Sequence, residues 1–181
     1  MSREQIAALV LAAVVVFWIL GAYNRLVALR NAIDRAWAKV EEAQRLRAAA
    51  VAPLVAALRE PLAAEQGALD ALLAAQGAST QATTAMSARK APDGAATQWL
   101  AAESALTAAA SRVFALLEQQ AALSAQEPVA GLVRAWHELA PRLSFARQLF
   151  NDSAAAYDEA LAQFPTRLLV PLFGFGRAGR I

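Results

Sequence analysis

IAALVLAAVVVFWILGAYNRLVALRNAIDRAWAKV, residues 6–40, holds two patterns in tandem, and the change between them near Tyr23 decides the reading of the fold. From Ile6 to Ala22 no side chain carries a charge, an amide or a hydroxyl. At about 1.5 Å per residue this run reaches ~26 Å, close to the hydrocarbon thickness of a bilayer. Trp18 and Tyr23 stand at its end, where amphipathic rings favour the headgroup layer. The stretch therefore reads as a transmembrane helix over 6–23 behind a short non-cytoplasmic tail at 1–5. Two other readings compete. A cleaved signal peptide has a roughly 7–15-residue apolar region and a net-positive start, whereas here Arg3 and Glu4 offset each other and Leu20 is a poor cleavage-site partner for Ala22. A buried core helix is the second, although a helix apolar on every side is hard to enclose in so small a domain. Arg25, Arg30, Arg35 and Lys39 follow the span, against Arg3 and Glu4 before it. That bias puts the C-terminal domain in the cytoplasm and the N-terminus outside or luminal.

Beyond Tyr23 the apolar positions step by three and four, the seam of a helical bundle. Tyr23, Leu26, Ile33, Trp37 and Val40 form one stripe, with Arg30 as a misfit, and Leu54, Leu58, Leu62, Leu69 and Leu72 a second. A stretch rich in Gly, Ser and Thr from Gly77 to Gly94 reads as a loop. Trp99, Leu106, Val113 and Leu117 make a third stripe, and a fourth runs from Leu132 through Trp136 and Tyr157 to Phe164. Pro141 lies inside that last stripe, where the unbroken register predicts a kink rather than a break. A turn near Pro53 equalises the helix lengths. It gives an all-α fold, a transmembrane helix followed by an antiparallel four-helix bundle over 24–165. A three-helix bundle is the alternative. With four helices, the last runs back toward the bilayer and brings the tail, 166–181, to the membrane surface. Leu168, Leu169, Val170, Leu172, Phe173 and Phe175, flanked by Arg167, Arg177 and Arg180, suit the headgroup region; equally, they suit packing across the open end of the bundle.

Hydrophobic residues make up 58% of the 181, and the excess is alanine and leucine, which favour helix. With no cysteine, disulfides, thiolate metal sites and a cysteine nucleophile are excluded. A net charge of +2 without a basic cluster argues against nucleic acid. Gly174, Gly176 and Gly179 match a dinucleotide-binding spacing, but the chain stops before the helix that fingerprint requires. His137, the one histidine, follows Arg134 by three positions where a bundle metal site wants Glu. Glu41/Glu42 and Asp158/Glu159 are adjacent on helices and diverge, and Ser79 to Ser87 have no nearby base. Trp37, Trp99 and Trp136 fall on seams and read as core. The expectation is a non-enzymatic protein with no metal or cofactor; nothing in the pattern sets an oligomeric state.

Two blocks, YNRLVALRNAIDRAWAKVEEAQ at 23–44 and FARQLFNDSAAAYDEALAQFPTRLLVPLFGF at 145–175, resemble the LemA family. Its members carry an N-terminal membrane helix, a Y-N-x-L-V-x-L-R-N-x-V-x-x-A-W block, and a closing Y-N-x-A-V-x-x-Y-N-x-x-I-x-x-F-P block that runs on to F-G-F. Departures are Ala49 for the family's Asp, a Pro displaced to Pro53, Phe150 for a Tyr and Asp158 for an Asn. The resemblance implies a bacterial inner or internal membrane protein, a tethered helical bundle without known catalytic residues. Its implied role is a scaffold or adaptor for an unidentified membrane protein. Membrane shaping through the tail is the alternative, and an accessory role to a membrane protease a lesser one. The two blocks pair Tyr23, Asn24, Arg30, Asn31 and Trp37 with Asn151, Asp152, Tyr157, Phe164, Pro165, Phe173, Gly174 and Phe175. They are expected to form one membrane-proximal structural or docking layer, in which a buried Arg30 needs Asp152 or Asp158 as partner.

Overall fold

A computed structural model describes residues 2–88, 94–163, 166–168 and 176–181. Every regular element among them is helical: α1 (Arg3–Leu58), α2 (Gln66–Ser87), α3 (Ala95–Glu118), the short α4 (Ala121–Ser124) and α5 (Val129–Ala162). Single turns of 3-10 helix cover Ala63–Glu65 and Thr166–Leu168. The chain divides into two compact units, one of Met1–Ala36 with Leu149–Arg180, the other of Trp37–Gln148 with Ile181.

A reciprocal cap starts α1. The Gln5 backbone N–H donates to Ser2 Oγ at 3.2 Å, and the Ser2 backbone N–H donates to Gln5 Oε1 at 2.9 Å. This capping box satisfies two donors that the first turn would leave orphaned.

The turn expected near Pro53 is absent, because α1 continues through Pro53 to Leu58. Pro53 is exposed, as is Ala49, whose carbonyl loses its helical donor, so water serves that carbonyl at no burial cost. The reversal comes instead around Pro61. There the Gln66 side-chain amide donates to the carbonyls of Arg59 at 2.7 Å and Leu62 at 3.3 Å. Arg59 also pairs with Asp70 at 3.2 Å. The second apolar stripe is thus shared, with Leu54 and Leu58 on α1 and Leu69 and Leu72 on α2. Pro53→Ala restores a helical hydrogen bond on an exposed face and is expected to stabilise the chain by ~1–3 kcal/mol. Urea unfolding followed by helical circular dichroism measures it; a loss of stability would mean that the helix needs the proline.

The loop expected over 77–94 is likewise helical as far as Ser87. Its hydroxyls bond back to the carbonyl one turn earlier: Thr80 to Gln76, Thr83 to Ser79 and Thr84 to Thr80, all at 2.9–3.0 Å. Back-bonding lets a Ser/Thr run stay helical despite its turn-like composition. Gly94, at φ 81°, takes the left-handed conformation just before α3. Pro141 is exposed and α5 continues through it.

In the second unit, one core gathers Val51, Leu54 and Leu58 of α1 with α2, α3, α4 and the start of α5. Leu69, Leu106 and Val113 are 0% exposed. Cross-contacts give antiparallel neighbours: Ser79 meets Glu103 and Thr83 meets Trp99, while Trp99 meets Arg147 and Phe114 meets Trp136. Although α3 is long and apolar enough to cross a membrane, its apolar side, from Trp99 to Leu117, is core. In the first unit Leu26, Tyr157, Ala160 and Leu161 pack together, with Leu29, Ile33 and Ala178 against them.

Candidate functional site

In the unit formed by the chain's two ends, Arg25 Nη1 donates to Gln163 Oε1 at 3.4 Å, and the Ala178 N–H donates to Asp158 Oδ1 at 2.9 Å. Here the residues just after the apolar run meet the end of α5, and the last described stretch of the tail folds back onto them. Tyr157 is buried beside Leu26. Burial pushes its phenol above the ordinary 10.0; the nearby positive charge of Arg30 opposes the shift and the carboxylate of Asp158 adds to it.

A raised phenol pKa means that folding favours the protonated form. The stabilisation it brings is complete below pH 10.0 and is lost as pH rises through the folded-state pKa. In a Tyr23→Phe chain, phenolate absorbance should therefore report a single midpoint above 10.0, with stability falling over the same range. A midpoint at or below 10.0 would mean that the ring is solvated.

Members of the expected layer differ in their exposure. Tyr23, Asn24, Arg30, Asn31 and Asp152 are exposed, and Asn151 is half-buried. An exposed Arg30 keeps its guanidinium in water and needs no buried acid, while Asp158 serves the backbone of Ala178 instead. Trp37 is buried but belongs to the other unit. Phe164, Pro165, Phe173, Gly174 and Phe175 lie outside the described residues, as do the apolar side chains from Leu168 to Val170.

The second unit holds a buried polar layer that the seam reading passed over. Arg47 on α1 and Glu103 on α3 are 6% and 5% exposed. Arg47 Nη2 donates to both carboxylate oxygens, at 2.7 and 2.8 Å, and to Gln44 Oε1. Ser79 Oγ donates to Glu103 Oε1 at 2.6 Å, and the Arg47 guanidinium lies 5.2 Å from the centre of the Trp136 ring. Arg47 Nε, Gln44 Nε2 and Gln76 Oε1 are buried with no hydrogen-bond partner among the described residues. The layer was signalled in the sequence. Gln44 and Arg47 continue the seam of α1 between Val40 and Val51, Gln76 and Ser79 continue that of α2 after Leu72, and Glu103 sits between Trp99 and Leu106. Polar residues at positions where the period demands apolar ones mark a buried network.

α2 runs a line of hydroxyls past both neighbours. Ser79 serves Glu103, Thr83 accepts from Trp99 Nε1 at 3.0 Å, and Ser87 accepts from Trp37 Nε1 at 2.9 Å while donating to Glu41. Both indole N–H groups are thereby satisfied, and the two rings meet edge to face at 5.9 Å. The Ser79–Glu103 contact joins a hydroxyl to a carboxylate, but Ser79 is 1% exposed and Arg47 already holds the acid, so it acts as a tie between helices. Exposed His137 leans on Phe114, with ring centres 5.2 Å apart. Among the described residues no three His, Asp or Glu side chains group as metal ligands.

Beside the layer, α3 and α5 border an open groove of about 660 Å³. Leu100 and Thr107 line one wall, Trp136, Leu143 and Arg147 the other, and the Arg47–Glu103 pair lies between. The Arg147 guanidinium stands 5.3 Å from the centre of the Trp99 ring.

The model of the LemA family matches residues 36–180. The closing block with Asn151 and Tyr157 falls inside that range, and Tyr23 to Asn31 fall ahead of it. No match is found among curated proteins.

Proposed function

The chain belongs to the LemA family, and from that premise we propose that it is a non-enzymatic scaffold or adaptor, anchored by residues 6–23 and presenting a four-helix antiparallel bundle to a membrane-protein partner. One observation carries the anchoring. The apolar run of α1 is unburied on every side, with Phe17 74%, Leu11 66% and Val14 58% exposed. Water would penalise each of these side chains by about 1.5–3 kcal/mol relative to an apolar medium. A bilayer removes that cost, and the helix already satisfies its own backbone. The basic residues from Arg25 to Lys39 support a cytoplasmic bundle. The packing of Leu26 against Tyr157 and Leu161 supports a closing block that lies where the chain leaves the membrane.

Cross-linking in intact cells, followed by purification and mass spectrometry, tests the adaptor role. The expected result is one membrane protein recovered in stoichiometric yield, and recovery of lipid alone would overturn the reading. If the recovered partner is a membrane protease, the adaptor acts as its accessory factor. Deleting Leu168 to Ile181 separates docking from lipid binding: lost partner recovery with unchanged liposome binding fits the adaptor, and the reverse pattern fits membrane shaping. Protease protection checks orientation, since digestion of the bundle from outside would reverse the topology.

A further inference from the structure

The groove between α3 and α5 has features that core packing does not use. Outside residues 6–23, the large apolar side chains exposed among the described residues are Leu100 and Phe145. Leu100 lines the groove, whereas Phe145 is on a different face of α5 from the lining residues Trp136, Ala140, Leu143 and Arg147. Charge on the walls is uneven. Arg47 and Glu103 neutralise each other at 2.7 Å, whereas no ion pair among the described residues engages Arg147. Its guanidinium is held against Trp99, which fixes the cation in place without neutralising it. The groove therefore carries one surplus, pre-positioned positive charge beside apolar walls at Leu100, Trp136 and Leu143.

Its dimensions limit the occupant. Lining residues on α5 run from Trp136 to Arg147, about 16 Å along a helix, which matches roughly five residues of extended chain. An open groove of about 660 Å³ has room for a short segment rather than a whole helix.

We propose that this groove docks a short acidic, apolar peptide segment of the partner protein, its carboxylate paired with Arg147 and its apolar side chains covering Leu100, Trp136 and Leu143. The proposal rests on the adaptor reading and names the chemistry of the partner. Arg147 takes the carboxylate in a two-pronged geometry that a lysine cannot reproduce. The neutralised Arg47–Glu103 pair leaves the floor without net repulsion for either sign, so the selectivity lies with Arg147.

The test uses the full chain in phosphatidylcholine nanodiscs, screened against a displayed library of random short peptides. Enriched peptides should carry more acidic than basic residues along with apolar ones. Their affinity should drop at least about tenfold on Arg147→Glu and return when the peptide's acid is exchanged for lysine, a rescue that a misfolded variant would not give. Ala140→Trp, at an exposed lining position, fills the groove without altering charge and should abolish binding. Peptides that bind all three chains equally, or a library that enriches no acidic peptide, would overturn the assignment. So would phosphatidylglycerol nanodiscs that displace the peptide only when Arg147 is present, because the occupant is then an anionic lipid. Partner recovery by cross-linking from both the wild type and Ala140→Trp would sink the groove and leave the adaptor role standing, whereas recovery from neither would sink the adaptor role itself.

Discussion

Glu103→Ala is expected to destabilise the bundle by about 3–5 kcal/mol, since it removes one member of a buried ion pair and strands the other. Arg47 would keep its charge at 6% exposure with Gln44 as its remaining hydrogen-bond partner, and Ser79 Oγ would lose its acceptor. Against a domain stability of roughly 5–15 kcal/mol, that loss is a large share of the total. The pair itself contributes little net stability, because bringing two charges out of water offsets most of their attraction. Hence the double change Arg47→Met with Glu103→Leu should be neutral or stabilising by up to about 4 kcal/mol. The core would then close over apolar groups at α1 and α3 and lose the ion pair that ties the two helices in register. Urea unfolding of the full chain in detergent, followed by the fluorescence of buried Trp37, Trp99 and Trp136, compares the three proteins. A single-variant cost within about 0.5 kcal/mol, the range of ordinary surface changes, would contradict the buried assignment of Glu103.

The second large effect is on location. Deleting residues 2–22 should move the protein from the membrane to the soluble fraction, since the exposed apolar run from Ile6 to Leu20 goes with them. A finer version keeps the length. Replacing both Val14 and Val15, near the middle of the run, by arginine adds about 2.5–3.5 kcal/mol each to the cost of insertion. That is enough to offset a marginal span and shift most of the chain to the soluble fraction. Retention of the shortened chain in alkali-washed membranes would show that another segment provides the anchor.

Periodicity identified most of the core: Trp99, Leu106, Val113 and Leu117 are all buried on α3, as are Trp136, Leu143, Phe150 and Leu161 on α5. It erred where local chemistry imitates an end. Pro53 resembles a helix stop, yet an exposed proline within a strongly packed helix costs less than unpacking Leu54, Val55 and Leu58. Likewise Ser79 to Ser87 resemble a loop until back-bonding and the needs of Trp37, Trp99 and Glu103 are considered. Those needs arise on other helices; in the segment itself their one trace is that Ser79 keeps the seam spacing after Leu72 and Gln76.

By itself, then, the sequence determined the all-helical class, the apolar start of α1, the seams and the family, because each depends on the spacing of residue types along one helix. Tertiary structure decided where α1 turns, that Arg30 stays in water while Arg47 is buried against Glu103, and that Arg147 stands over Trp99 at the edge of a groove. Those outcomes depend on which side chains of separate helices share a layer, and burial assigns that cost or benefit only once the helices have packed.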